Sequence, residues 1–396
     1  MRILYISTVF PRLENSATIY TDLAEELALK GHKVFVLAAE EKKKYKDSGI
    51  LNERGCRVFR TQIGNMYDVN IIEKGISILT LSYYMKRAIK KYLAQEEFDL
   101  ILFEAPPLTL ASVVAYAKKK YKALAYLMMK DIFPQNAVDI GIMKKGVVYS
   151  FFKHKEKKMY RTADIIGCMS EGNRKYIEQH NKVPKDKLKI FPNTKKIQEI
   201  KILNNNYDMR KKYNIPKDRI VFIFGGNMGK PQGIPFLCKA VKELENKSVA
   251  YFVFVGRGTE KRYLENELEN CTNVTVLENL AREEYEKLVL ECDVGLVSLD
   301  YRFSIPNYPS RVLSYMEYGM PILATTDKNT DFKELIEQAE CGLWCYSDSV
   351  EEFCEAVANL VSDSQLRDSM GTNGRRYAER YFDVAVSVEL LEKHLQ

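Results

Sequence analysis

Apolar residues fall in short runs along the chain, separated by longer stretches where apolar and polar positions alternate with helical spacing. In the first half the runs are RILYIST, KVFVLAA, DLILFEA, ALAYLMM and ADIIGCMS. In the second half they are IVFIFGG, AYFVFVG, NVTVLEN, VGLVSL and PILATT. Unbroken runs of this kind predict strands covered on both faces, as in parallel sheets. The stretches between them, such as TDLAEELALKG with Gly31 at its end, predict amphipathic helices. Strand and helix taking turns predicts a doubly wound α/β sheet, and the series occurs twice. After KLKIFPN the segment TKKIQEIKILNNNYDMRKKYNIPKD is polar and rich in Asn and Lys, and strands resume at Ile220. A boundary is expected between Lys196 and Asn206, giving domains at 1–200 and 201–372. Residues 373–396 are expected to form a closing helix that returns towards the first domain.

Composition narrows the class. At 46% apolar and 29% charged, the 396 residues are those of a folded chain rather than a disordered one. No apolar stretch is long enough to span a bilayer, and MRILYIST reads as a buried strand rather than a signal segment. The expected location is cytoplasmic. Eight cysteines without a C-x-x-C pair and four scattered histidines give no zinc spacing, so the thiols are read as small buried hydrophobes. The net charge of +7 conceals an asymmetry: 36 basic against 21 acidic residues up to Lys196, and 24 against 32 beyond it. A basic first half suits an anionic partner such as membrane headgroups or a lipid diphosphate. Nucleic acid is disfavoured, because no recognition motif accompanies the charge.

The second half carries two candidate anion-binding elements. IFGGNMGKPQG follows a predicted strand and precedes a predicted helix, with Gly226 and Asn227 at its turn and Lys230 as a mobile cation. Glycine content alone fits a plain tight turn as well as a phosphate site. SIPNYPSRVLSYMEYGMPILATT predicts a helix opening at Ser310, a capping residue, with Arg311 in its first turn. A cation there opposes the helix dipole unless an anion binds; a solvated arginine is the alternative.

These segments resemble a family. GGNMGKPQG, FVFVGRG, NVTVLENLAREEYEKLVLECDVGLVSL and IPNYPSRVLSYMEYGMPILA come in the order and spacing of retaining glycosyltransferases of family 4. They are most similar to its bacterial O-antigen and capsule branch, which includes N-acetyl-L-fucosamine transferases. EKKMYRTADIIGCMSEG, KIFPN and MKDIFPQNAVDIG resemble first-domain blocks of that branch, with Phe133 where a Trp is usual. The resemblance implies an α/β fold of two Rossmann-like domains facing across a cleft (GT-B). It also implies a nucleotide-sugar donor, with UDP the expected nucleotide, in the second domain and a glycan or polyprenyl-diphosphate-linked acceptor in the first. No cofactor or metal is expected. By position, Lys230 and Arg311 correspond to the diphosphate clamp, with Gly226, Asn227, Arg257, Leu280, Ser310, Ser314 and Glu317 as further donor-binding candidates. Two departures stand out. The family's Arg-x4-Lys positions hold Asn227 and Gln232, and its E-x7-E positions hold Pro306 and Ser314.

In the first half, Glu104 and Asp131 follow predicted strands and so are expected at their carboxyl ends, where either can orient or deprotonate an acceptor hydroxyl or serve as a structural carboxylate. The loop residues Asn15, Ser16, Ala17 and Thr18 stand where relatives contact donor phosphates. IIEKGISILTLSYYMKRAIKKYL sets Ile78, Leu81, Tyr84 and Met85 beside Lys86, Arg87, Lys90 and Lys91. That pattern suits a helix lying on a membrane, which would place the protein peripherally at the inner face; core packing explains the apolar face equally well. The function expected is retaining sugar transfer in surface polysaccharide synthesis. A UDP-hexosamine 2-epimerase-type enzyme and a non-catalytic nucleotide-sugar-binding partner are the alternatives.

Overall fold

A computed structural model describes residues 1–15, 17–45, 49–66, 69–199, 208–247 and 249–396. The chain divides into two units. The first comprises Met1–Val138, Met143–Lys196 and Asp383–Gln396; the second comprises Asp139–Ile142 and Ile197–Phe382. Within the expected boundary region, the division falls between Lys196 and Ile197, while residues 200–207 lie outside the described residues. The returning segment begins at Asp383 rather than at 373, because the helix Ser364–Tyr381 packs on the helix Arg311–Glu317 within the second unit.

The first unit is built on β1 (Arg2–Ser7), β2 (Lys33–Glu41), β3 (Gly49–Glu53), β4 (Cys56–Ile63), β5 (Leu100–Ala105), β6 (Leu124–Met129), β7 (Ile165–Cys168) and β8 (Leu188–Ile190). Their order is β3-β4-β2-β1-β5-β6-β7-β8, parallel except for β3 on β4. The second unit contains β9 (Ile220–Asn227), β10 (Ala250–Arg257), β11 (Val274–Leu277), β12 (Val294–Ser298), β13 (Ile322–Thr326) and β14 (Gly342–Tyr346), in the all-parallel order β11-β10-β9-β12-β13-β14. All ten apolar runs are strands, and the inner ones are buried along nearly their whole length. Covering helices on both faces explain why those runs are apolar without alternation.

Each unit closes its own core. In the first, Leu23, Ala24 and Leu27 of the helix Ile19–Leu29 pack with Val384, Val388 and Leu391 of the terminal helix Val384–Leu395. That helix is further tied by a Thr194–Ser387 hydroxyl pair at 2.7 Å and by His32 Nε2 against Glu392 Oε1 at 2.9 Å. In the second, Phe222, Phe224, Phe252, Phe254 and Phe353 form an aromatic spine with the helices Ile234–Leu244 and Val350–Ser362.

The strand β4 was not legible as an apolar run because Arg57 and Arg60 interrupt it. Arg60 is nonetheless 1% exposed. Its guanidinium donates to Glu53 at 2.6 and 3.2 Å, to Glu40 at 2.8 Å, and to the carbonyls of Phe10 and Pro11. A buried cation persists only when its charge and donors are met in this way. The cluster fixes the loop that leaves β1.

Candidate functional site

In open α/β sheets, ligands bind beyond the strand carboxyl ends where the strand order reverses. Here that happens between β1 and β5 in the first unit, and between β9 and β12 in the second.

In the second unit β9 runs out into Gly225, Gly226 and Asn227. A Cβ on Gly225 would fall 1.9 Å from the Tyr285 hydroxyl oxygen, and Gly226 holds φ +120, a conformation L side chains rarely adopt. Buried Tyr315 supports the turn from beneath: its hydroxyl accepts from Gly225 N–H at 3.2 Å and donates to the Ile223 carbonyl at 2.9 Å. From the other strand, Ser298 Oγ donates to the Gln232 carbonyl at 2.7 Å and Asp300 N–H donates to the Pro231 carbonyl at 2.9 Å. The end of β12 thus braces the loop that leaves β9.

Arg311 opens the helix Arg311–Glu317 and lays its guanidinium on the Phe224 ring, 4.1 Å from the centroid. Its Nη2 donates to Gln232 Oε1 at 3.0 Å and passes beside Gly226, where an added Cβ would lie 3.7 Å away. Nη1 is buried and has no partner among the described residues. Burial lowers the pKa of the guanidinium from the ordinary arginine value, with nearby Tyr315 and Tyr285 opposing that shift. Gln232, one of the two departures from the family's loop, therefore orients the cation instead of supplying one. Lys230 is exposed in the turn Lys230–Gln232. Its charge acts on Glu260, whose pKa is raised chiefly by burial and whose Oε2 is buried without a partner.

The other donor candidates divide. Asn227 and Arg257 are exposed and lie opposite each other in the β9–β10 register. Leu280 is half-buried beyond β11, at the far edge of the sheet. Ser310 does not cap its helix: it is exposed, makes no side-chain cap hydrogen bond, and has φ −66 and ψ −14. Those angles are helical, whereas a capping hydroxyl needs extended backbone to reach the following N–H groups. Ser314 is half-buried on the same helix. Glu317 is buried, and its Oε1 accepts from Gln198 N–H at 3.1 Å, so this carboxylate is used where the chain enters the second unit.

In the first unit Glu104 ends β5 at 1% exposure. Its Oε1 accepts from Ser7 Oγ at 3.0 Å and Thr8 N–H at 2.8 Å, joining the ends of β1 and β5 across the switch point. Its Oε2 is buried without a partner, and burial pushes the carboxyl up to about 7. On the neighbouring strand end stands Lys130, which donates to Asn193 Oδ1 at 2.7 Å and is drawn down to about 8 by burial. Asp131 follows: one oxygen accepts from Asn136 Nδ2, the other is buried and unpaired, and burial raises the carboxyl to about 6. Two carboxyls and an amine thus titrate near neutrality at adjacent strand ends, the range general acid–base chemistry needs. Sequence reasoning located Glu104 and Asp131 but passed over Lys130, whose one signal is its place between a strand and an acidic residue. In the loop after β1, Thr18 caps the helix Ile19–Leu29 in a capping box with Thr21, Asn15 donates to the Tyr45 hydroxyl, and Ser16 lies outside the described residues.

Two family profiles match the chain in tandem: Glycosyltransferase Family 4 over residues 16–194 and Glycosyl transferases group 1 over residues 205–377. The chain belongs to these glycosyltransferases. Among curated relatives, the glycosyltransferase is 25% identical over 274 residues to WbjE of Pseudomonas aeruginosa, named a probable glycosyltransferase; the match spans 66% of either chain. It is 22% identical over 391 residues, 94% of either chain, to WcaI of Escherichia coli K12, named for glycosyl transfer in colanic acid biosynthesis. Among solved structures, it superposes on sucrose-phosphate synthase of Thermosynechococcus elongatus with a TM-score of 0.76 at 17% identity, covering 100% of this chain and 98% of that one. It superposes on Anabaena HepE in complex with UDP with a TM-score of 0.69 at 15% identity, covering 100% and 99%. At such identities the structural likeness establishes the fold, which is GT-B with two parallel-sheet α/β domains. The glycosyltransferase fold is therefore as expected, and its switch points lie at Glu104 and at Gly226.

Proposed function

We propose that this glycosyltransferase moves a sugar from a UDP-sugar to a glycan or polyprenyl-diphosphate-linked acceptor, with retention at the anomeric carbon, in the assembly of a surface polysaccharide. The observation that carries the reading is Arg311: a buried guanidinium nitrogen without a partner, beside side-chain-free Gly226 at the β9–β12 switch point. An unmatched buried cation is costly, and a diphosphate oxygen is the ligand that satisfies it with a charge-assisted bond. HepE, which shares the fold, is described with UDP, and the name of WcaI refers to colanic acid biosynthesis; both support the choice of donor and pathway class.

In this reading the acceptor hydroxyl attacks the face that the diphosphate leaves. Arg311 and Lys230 stabilise the charge growing on the leaving oxygens without a metal, and removing one such donor costs about 100- to 1,000-fold in rate. The leaving phosphate takes the hydroxyl proton. Asp131 and Glu104, at strand ends of the first unit, are that unit's groups for binding an acceptor hydroxyl. The test is incubation with a panel of UDP-sugars and a synthetic polyprenyl-diphosphate acceptor, the product's anomeric configuration being read by NMR. Retained transfer with release of UDP supports the proposal. Inversion, or epimerisation of the UDP-sugar without transfer, refutes it.

A further inference from the structure

The helix Ile71–Tyr92 carries apolar residues on two sides. Leu81, Met85, Ala88 and Ile89 are buried, and the helix packs on β4 and on the helix Ala111–Tyr121. On the opposite side Ile72, Ile76, Leu79 and Tyr83 are exposed, by 73%, 59%, 61% and 61%. Steps of four, three and four residues align them in one stripe. Continued along the helix, the same stripe reaches Arg87 and Lys90, both exposed, with exposed Lys91 beside them. The expected membrane face of Ile78, Leu81, Tyr84 and Met85 is therefore corrected: Leu81 and Met85 fill the core, Ile78 and Tyr84 are half-buried, and a different stripe meets solvent.

A second exposed apolar group opens the helix Val147–Thr162, where Val147 is 88% exposed and Val148 and Phe151 are also exposed. Exposed Lys144 and Lys145 precede it, and Lys155 lies 5.2 Å from the Phe151 ring centroid. The turn Leu108–Leu110, just beyond the carboxyl end of β5, packs against both helices, so part of each lies near the end of the unit where Glu104 stands. The acidic residues of the two helices are engaged elsewhere: Glu73 accepts from Asn65, and buried Glu156 pairs with Lys153 and Tyr160.

We propose that this face of the first unit docks on an anionic lipid bilayer. The exposed apolar turns enter the headgroup–acyl boundary, and Arg87, Lys90, Lys91, Lys144 and Lys145 pair with the headgroups. Charge decides the occupant: lysine and arginine flank the large apolar side chains, and among the described residues of the two helices the carboxylates are half-buried Glu73, held by Asn65, and buried Glu156, paired with Lys153, a pattern that matches an interfacial membrane helix. A second copy of the chain would set like charges against each other. The inference deepens the lipid-linked acceptor reading, but its test does not depend on transfer.

The experiment is co-sedimentation of the full chain with vesicles of phosphatidylglycerol and phosphatidylethanolamine, or of phosphatidylcholine alone, at low and high salt. Three variants are compared: Ile72→Ser/Ile76→Ser/Leu79→Ser, Val147→Ser/Val148→Ser/Phe151→Ser, and Lys90→Glu/Lys91→Glu. The wild type is expected to bind the anionic vesicles only. Each apolar variant should lower partitioning by about tenfold or more, and the charge reversal should flatten the salt dependence. Unchanged circular dichroism and thermal midpoints show that the variants fold. The proposal is overturned if the wild type ignores anionic vesicles, if folded variants bind as it does, or if light scattering finds dimers that the serine variants dissolve.

Discussion

Glu104→Gln separates the electrostatics of the first switch point from its geometry. The folded unit holds this carboxyl near 7 against an ordinary 4.5, so it keeps a proton that the unfolded chain has released. Between those values the folded state binds more protons, and stability falls as pH rises. Above pH 7 the loss approaches about 3 kcal/mol, at 1.36 kcal/mol per pH unit. Glutamine has no charge to desolvate, and its oxygen can still accept from Ser7 and Thr8. At pH 5 the protonated carboxyl already carries one O–H donor on its partnerless oxygen, whereas the amide brings two N–H donors, so one further buried donor is left unsatisfied at about 1–3 kcal/mol. The variant should therefore be less stable than wild type at pH 5, with the deficit shrinking to nothing or reversing by pH 8. Urea unfolding followed by far-UV circular dichroism at the two pH values measures this. Trp344, the chain's one tryptophan, sits in β14 and reports the second unit, whose transition should not move. An equal difference between variant and wild type at both pH values would refute the reasoning.

Other outcomes follow from the same contacts. Gln232→Ala frees Nη2 of Arg311 and should weaken UDP binding by about 0.5–1.5 kcal/mol, read by calorimetry. Arg60→Met leaves Glu40 and Glu53 buried without their cation and should destabilise the first unit by about 3–5 kcal/mol in urea titrations, with Trp344 unaffected. Gly225→Ala drives a methyl group into Tyr285 and should cost about 1–3 kcal/mol in the Trp344 transition, together with a loss of UDP affinity.

What could be read from the sequence depended on how far each feature reached along the chain. The ten apolar runs became strands because burial on both faces writes itself into consecutive residues. β14 (GLWCY) is only partly buried and left no such run, and β4 was broken by Arg60, whose burial depends on Glu40 and Glu53 from other strands. Glu104 was placed correctly at a strand end, yet its bonds to Ser7 and Thr8 follow from strand order, which periodicity does not encode. In Ile71–Tyr92 the apolar residues surround the helix, so only packing decides that Leu81 and Met85 face inwards while Ile76 and Leu79 face outwards. Arg311 was legible from position and family resemblance, whereas its Gln232 partner, the Phe224 ring beneath it and the lost Ser310 cap required the backbone.

A donor diphosphate held by Arg311 and Lys230 is central to the proposed transfer. Calorimetric titration of UDP, GDP and ADP into the wild type, Arg311→Ala and Lys230→Ala tests it most directly. The prediction is selective binding of UDP that weakens by about 1.5 kcal/mol or more in each variant, the scale of a charge-assisted hydrogen bond. If no nucleotide binds the wild type, or folded variants bind UDP as tightly as it does, the donor does not sit at the β9–β12 switch point.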